Sequence, residues 1–144
     1  MSRLRAAVVD TDVFSLLYVH QGSPDPRVPS WRTLLAGTRV LVSFQTRTEL
    51  LSGALANQWG ARRMSQLRTI LDQTPTIRAD DDVIDAHATL VAECRRAGHA
   101  LWDKQHTGDR WVASCAIAKH VELLAGDGIY QGAPGLVLVG GTPY

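Results

Sequence analysis

The feature that most limits this chain is Ala6-Ala7-Val8-Val9 running directly into Asp10-Thr11-Asp12. Small and β-branched apolar residues on both sides of the pleat suit a strand covered by helices on both faces. The acid falls where that strand should end. In open parallel sheets, ligands collect at the carboxyl ends of the strands. Asp10 is therefore the first candidate for chemistry, and the question becomes which other acids reach it.

Along the chain, strand and helix patterns alternate. A short buried helix is expected over Asp12 to His20, with Thr11 or Asp12 as N-cap. Three prolines make residues 22–29 irregular, and Ser30 should cap a short helix closed by Gly37. Arg39 to Ser43 reads as the second strand. Thr46 opens a long helical hairpin broken at Gly60, and Thr76-Ile77-Arg78 is a short strand. Asp80-Asp81-Asp82 leads a helix with a 3.6-residue stripe (Val83, Ile84, His87, Leu90, Val91, Cys94) that ends at Gly98. Ala100 to Gly108 is a loop, and Asp109 begins the next helix. Val121 to Ala125 and Gly135 to Val139 are the last two strands. This order predicts one domain over residues 1–144, a three-layer α/β/α sandwich with a mainly parallel sheet of four to five strands.

Composition narrows the function. The formal net charge is +1 over 144 residues, so any contact with nucleic acid must come from local clustering. Cys94 and Cys115 lack metal-type spacing and read as buried thiols. No stretch approaches a membrane span, and the apolar run after Arg3 and Arg5 is too short for a signal peptide. A cytoplasmic protein is expected.

Four acids far apart in sequence should meet at one sheet edge: Asp10, Glu49, Asp109 and Asp127. Each has a plainer explanation. Asp10 and Asp109 could be helix caps, Thr46-Arg47-Thr48-Glu49 fits a capping box, and Asp127-Gly128 is a common turn. Their coincidence is what argues for chemistry. Clustered carboxylates repel, so they bind protons or demand a cation, and hard divalent ions prefer oxygen ligands. Such ions polarise a phosphate and activate water.

The chain resembles the PIN domain family, specifically VapC-type toxin ribonucleases. The resemblance rests on Val8-Val9-Asp10-Thr11-Asp12-Val13, then residues 42–54 around Thr46 and Glu49, Gly108-Asp109-Arg110-Trp111-Val112-Ala113, and Leu123-Leu124-Ala125-Gly126-Asp127-Gly128-Ile129-Tyr130. It implies a metal-dependent endoribonuclease with Asp10, Glu49, Asp109 and Asp127 as ligands of Mg2+ or Mn2+, and Thr11 at the site. It also implies an RNA substrate, a VapB-type antitoxin and a homodimer. Arg47 and Arg110, next to proposed ligands, are candidate phosphate contacts, with Arg62, Arg63 and Arg68 as weaker ones. Many relatives carry Thr or Ser where this chain has Ala125. Asp103 lies close enough to Asp109 to be confused with it and should be exposed. His87 reads as a core histidine, and His99 and His106 flank the same loop. Two alternatives remain at this point. One is a haloacid-dehalogenase-like phosphatase with Asp10 as nucleophile and Ser43 as its hydroxyl. The other is an inactive PIN-like binding module.

Overall fold

The computed structural model describes residues 5–140. Four parallel strands form one sheet in the order β3-β2-β1-β4: β1 Arg5–Val9, β2 Thr38–Ser43, β3 Thr76–Ile77 and β4 Glu122–Leu124. The register pairs Val8 with Leu41 on one side of β1 and with Leu123 on the other. Asp10 N–H extends the ladder by donating to Leu124 C=O at 3.0 Å.

The pleat sorts the core. Ala7, Val9 and Leu124 face one layer, with Val13, Phe14, Leu17, Leu67 and Leu71. Val8 and Leu123 face the other, with Val83, Leu90, Leu101, Val112 and Tyr130. The first layer holds α1 (Thr11–Phe14), which runs on as a π-helical turn over Ser15–Val19, with α2 (Val28–Leu35) and α4 (Ala61–Asp72). The second holds α5 (Asp81–Ala97) and α6 (Thr107–Ala118), and α3 (Phe44–Ala56) follows β2 without a break. The expected three-layer parallel architecture is the one observed. Asp80 caps α5, and Gly98 ends it in the left-handed region at φ 68°.

Several local expectations are corrected. Asp10 itself caps α1, ahead of Thr11 and Asp12. Helix α2 starts at Val28 without help from Ser30, because a proline at Pro29 is free of clash in a first turn. Helix α3 starts at Phe44, with Ser43 as its cap accepting from Thr46 N–H at 3.1 Å. The Thr46–Glu49 capping box therefore does not form. Helix α6 starts at Thr107, so Asp109 is its third residue. The loop before it contains two 3-10 turns, Ala100–Trp102 and Lys104–His106. The expected last strand reduces to one bridge, Leu123 with Leu138, flanked by Leu123 N–H to Val137 C=O and Val139 N–H to Leu123 C=O. With β4 only three residues long, there is little ladder for a fifth strand to follow.

Chain reversal places the crevice. Beyond Asp10 the chain enters α1 in one layer, while beyond β4 it enters the Gly128–Tyr130 turn and buries Tyr130 in the other. Adjacent strands whose continuations part to opposite faces leave a gap at their carboxyl ends, and there the acids gather.

Candidate metal centre

Asp10 is the anchor. It is 5% exposed, and both carboxylate oxygens are held by peptide N–H groups, Oδ1 by Val13 at 2.9 Å and Oδ2 by Gly126 at 3.2 Å. Burial pushes its pKa up to about 7; the Val13 and Gly126 amides oppose that rise, and the charges of Asp12 and Asp127 add to it. The acid caps α1 and lines the cleft at once.

Glu49 is the sixth residue of α3, one turn beyond any capping position. One oxygen accepts from Thr11 Oγ1, and the other from Gln45 Nε2 at 3.1 Å. Thr11 also lies 3.0 Å from Thr46 Oγ1, and Ser43 Oγ donates to Thr46 Oγ1 at 3.3 Å. A line of hydroxyls thus runs from the cap of α3 to the Glu49 carboxylate. Helix α6 arrives from above with Gly108. A Cβ there would stand 2.9 Å from Glu49 Oε1 and from Gln45 Nε2, so a side chain at 108 would displace the ends of these two residues.

Asp109 points into the same gap from α6. Its Oδ1 accepts from the Tyr130 hydroxyl at 3.2 Å, and its Oδ2 lies 3.0 Å from His106 Nδ1. The Tyr130 hydroxyl is buried and faces acids, which pushes its pKa above the ordinary tyrosine value. Asp127 is exposed and caps its own turn, accepting from Ile129 N–H at 3.0 Å. Asp10, Thr11, Asp12, Glu49, Asp109, Val112, Asp127 and Tyr130 together line a cleft of about 120 Å³. All four acids expected from sequence are in it. Asp103 is not: it is exposed and caps the turn before α6.

The two arginines expected beside the ligands turn elsewhere. Arg110 is buried. Its Nη1 donates to Leu101 C=O and Asp103 C=O, each at 2.6 Å, and its Nη2 to Thr107 Oγ1 at 3.0 Å. It braces the loop that delivers Asp109. Arg47 is two residues from Glu49 and so on the opposite side of α3; it donates to Leu71 C=O at 2.7 Å and pairs with Asp72 at 3.0 Å. Arg63 lies over the Trp59 ring at 3.8 Å. His99 is spent on backbone, accepting from Leu101 N–H and bonding Gln131 C=O, while His87 stacks on Trp111 at 3.8 Å. Sequence reasoning did not assign Tyr130 or Asp12 to the cleft, or Gln45 and His106 to the acids that line it. Gln45 and Glu49 are four apart in a helix, and His106 precedes Asp109 by three, so local spacing held a signal for both. Tyr130 carried none beyond its place after Asp127.

The chain's residues 7–134 match the family model of the PIN domain. The chain belongs to the PIN domain family. Solved structures agree on the fold. A chain of the VapBC2 complex of Rickettsia felis, bound to a DNA fragment from its promoter, has a TM-score of 0.73 at 20% identity, over 92% of this chain and 96% of that one. A chain of the FitAcB structure of Neisseria gonorrhoeae gives 0.66 at 21%, over 92% and 96%. One from VapBC-5 of Mycobacterium tuberculosis gives 0.62 at 19%, over 93% and 97%. No curated protein matches the chain by sequence.

In this PIN domain, the donor set fits a hard divalent cation: every candidate ligand is a carboxylate, and no cationic side chain lines the cleft among the described residues. Among the described residues, no three ligand-type side chains close on one point. Asp10, Glu49 and Asp109 each have both oxygens engaged by protein donors. A carboxylate has about four lone-pair sites, so these bonds leave room for an ion.

Proposed function

We propose that this PIN domain is a metal-dependent endoribonuclease acting as the VapC-type toxin of a toxin–antitoxin pair. The observation that supports it best is the cleft itself: acids from β1, α3, α6 and the turn after β4 converge with no compensating cation among the lining residues. Asp10, Glu49, Asp109 and Asp127 would hold Mg2+ or Mn2+, which supplies a polarised phosphate and an activated water. The protein's own part is positioning. Two peptide amides hold Asp10, Thr11 and Gln45 orient Glu49, and Tyr130 and His106 orient Asp109. The structurally similar chains come from toxin–antitoxin complexes, which favours a VapB-type antitoxin as partner here; a homodimer is part of the same reading. A cytoplasmic location fits that role.

Nothing favours the phosphatase reading. Its second-strand hydroxyl, Ser43, is fully buried and capping α3, and both oxygens of Asp10 face peptide donors. The deciding experiment pairs cleavage of single-stranded RNA with thermal melts, each with Mn2+ or with EDTA. Wild type should cleave only with metal and gain melting temperature from it. Asp10→Asn should lose cleavage and most of that gain. Equal metal-induced shifts in both proteins would remove Asp10 from the ligand set.

A further inference from the structure

Asp127 also lines a second cavity, of about 210 Å³, that the metal chemistry does not use. Its walls are Arg27, Ser30 and Trp31 at the start of α2, and its floor is Ala125, Gly126 and Gly128. The two cavities share Asp127 as a lining residue. Gly126 lies in this floor while its N–H holds Asp10 in the acid cleft.

A nuclease that gathers five carboxylates at its cleft repels the polyanion it must cut. Some cation has to stand beside that cleft for the flanking phosphates. Arg47 and Arg110 are committed elsewhere. Among the described residues lining the two cavities, Arg27 alone carries a positive charge. It is half-exposed, and Asp12 and Asp10 are near enough for their charges to act on it. It is also fixed in place. Its guanidinium lies over the Trp31 ring at 4.8 Å and Nη1 donates to Gly126 C=O at 3.4 Å. Asp25 grips it through Nη2 at 2.9 Å and Nε at 3.1 Å. That two-pronged carboxylate grip is the geometry with which an arginine takes a phosphate.

The floor is made of residues with little or no side chain. A Cβ on Gly126 would meet Arg27 Nη1 and Trp31 at 3.2 Å, so glycine there lets the wall come close. Ala125 adds one methyl. The volume lies below the roughly 300–1,000 Å³ of drug-sized sites, and suits a single flat ring system. We infer that this cavity receives one nucleotide of the RNA strand next to the scissile phosphodiester, with Arg27 exchanging Asp25 for the nucleotide's phosphate. The inference rests on the nuclease reading proposed above.

The test uses three variants of the full chain: Arg27→Ala, Asp25→Asn and Ser30→Trp. Asp25→Asn can keep the acceptor for Arg27 N–H, now at 2.9 Å, while removing the competing charge. Ser30 is exposed, so a tryptophan there fills the cavity from its mouth. Binding of a 10-nucleotide single-stranded RNA is measured in Ca2+ across a salt series. Cleavage in Mn2+ is followed on that RNA and on bis(4-nitrophenyl) phosphate, which is too small to span both cavities. Arg27→Ala should weaken RNA binding about tenfold and lower the salt slope by about 0.7, one phosphate contact on a single strand. Asp25→Asn should tighten binding severalfold, the opposite sign. Ser30→Trp should change base preference at one position beside the cut, and its loss on RNA should exceed its loss on the small diester tenfold.

If Arg27 serves only to hold Asp25 and the loop, Arg27→Ala and Asp25→Asn will both lower the melting temperature and leave the salt slope alone, which overturns the inference. Unchanged RNA binding in all three variants would leave the cavity to a different partner, and also overturns it. A wild type that cleaves neither substrate in Mn2+ sinks the nuclease reading itself, an outcome distinct from an active wild type whose variants behave like it.

Discussion

The two halves of the acid cleft are built differently. Asp10 and Glu49 stand on the β1–β2 side, where four register pairs tie the strands and each acid follows its strand within six residues. Asp109 and Asp127 stand on the other side. There β4 is three residues long, its outer neighbour is a single bridge, and the loop before Asp109 has no strand or α-helix of its own. In the first half the sheet and caps set the backbone, and Gly126 N–H reaches across to Asp10 and Thr11 to Glu49. The second has little sheet: Arg110 braces the loop carbonyls, and Tyr130 and His106 hold Asp109. The halves thus differ in how much of their backbone the sheet fixes, while contacts across the fold serve both.

The largest expected effects are on turnover, and they treat the halves alike. Glu49→Gln keeps the shape but removes the charge and one of two acceptor oxygens, and Asp109→Ala removes a carboxylate. Each should lower RNA cleavage by about a thousandfold or more, about 4 kcal/mol of barrier. Asp103→Ala should change it less than twofold. Retained activity in Glu49→Gln would leave the β1–β2 half a scaffold only, and a severe loss in Asp103→Ala would move the third ligand into the loop.

Next in size is a pH effect confined to the first half. Asp10 is raised from 3.8 to about 7 in the fold. Between those values the folded protein holds a proton that the unfolded chain has lost. The stability tied to that proton is complete below about pH 4 and disappears as pH rises through about 7. Metal-free protein should therefore become less stable between pH 5 and 8, by about 3 kcal/mol at most. Urea titrations of wild type and Asp10→Asn at both pH values check this. A difference between the two proteins that does not vary with pH would dissociate the trend from Asp10.

The second half should yield to Arg110→Met. It leaves the Leu101 and Asp103 carbonyls without their charged donor, at a cost of about 3 kcal/mol. Denaturant melts should show the loss, and proteolysis should become faster within residues 99–108. Unchanged cleavage in that loop would mean that Arg110 does not brace it. Smallest is Tyr130→Phe, which removes one hydrogen bond to Asp109. About 1 kcal/mol of stability should be lost, with KM for RNA little changed and kcat lowered severalfold. The reverse split, KM alone, would mean that Tyr130 contacts substrate rather than positioning Asp109.

The amino-acid sequence alone was enough for the layered parallel fold, the residues of β1, β2 and α5, and the four acids. The reason is that each depends on short-range pattern. An apolar run that ends in an acid, an alternation of strand and helix, and Asp80 before a 3.6-residue stripe can all be read within a window of a turn or two. Caps were harder, because Ser43 and Thr46 both fit the start of α3, and only the buried hydroxyl line to Thr11 decides for Ser43. What tertiary structure alone decided is where long side chains go. Arg47 and Arg110 are adjacent in sequence to site positions, yet a helix sends residues two apart to opposite sides, and a buried guanidinium goes where carbonyls need a donor. Tyr130 meets Asp109 across 21 positions, and Arg27 meets Gly126 across 99. Contacts of that separation exist only once the strands are paired, so local pattern has no hold on them.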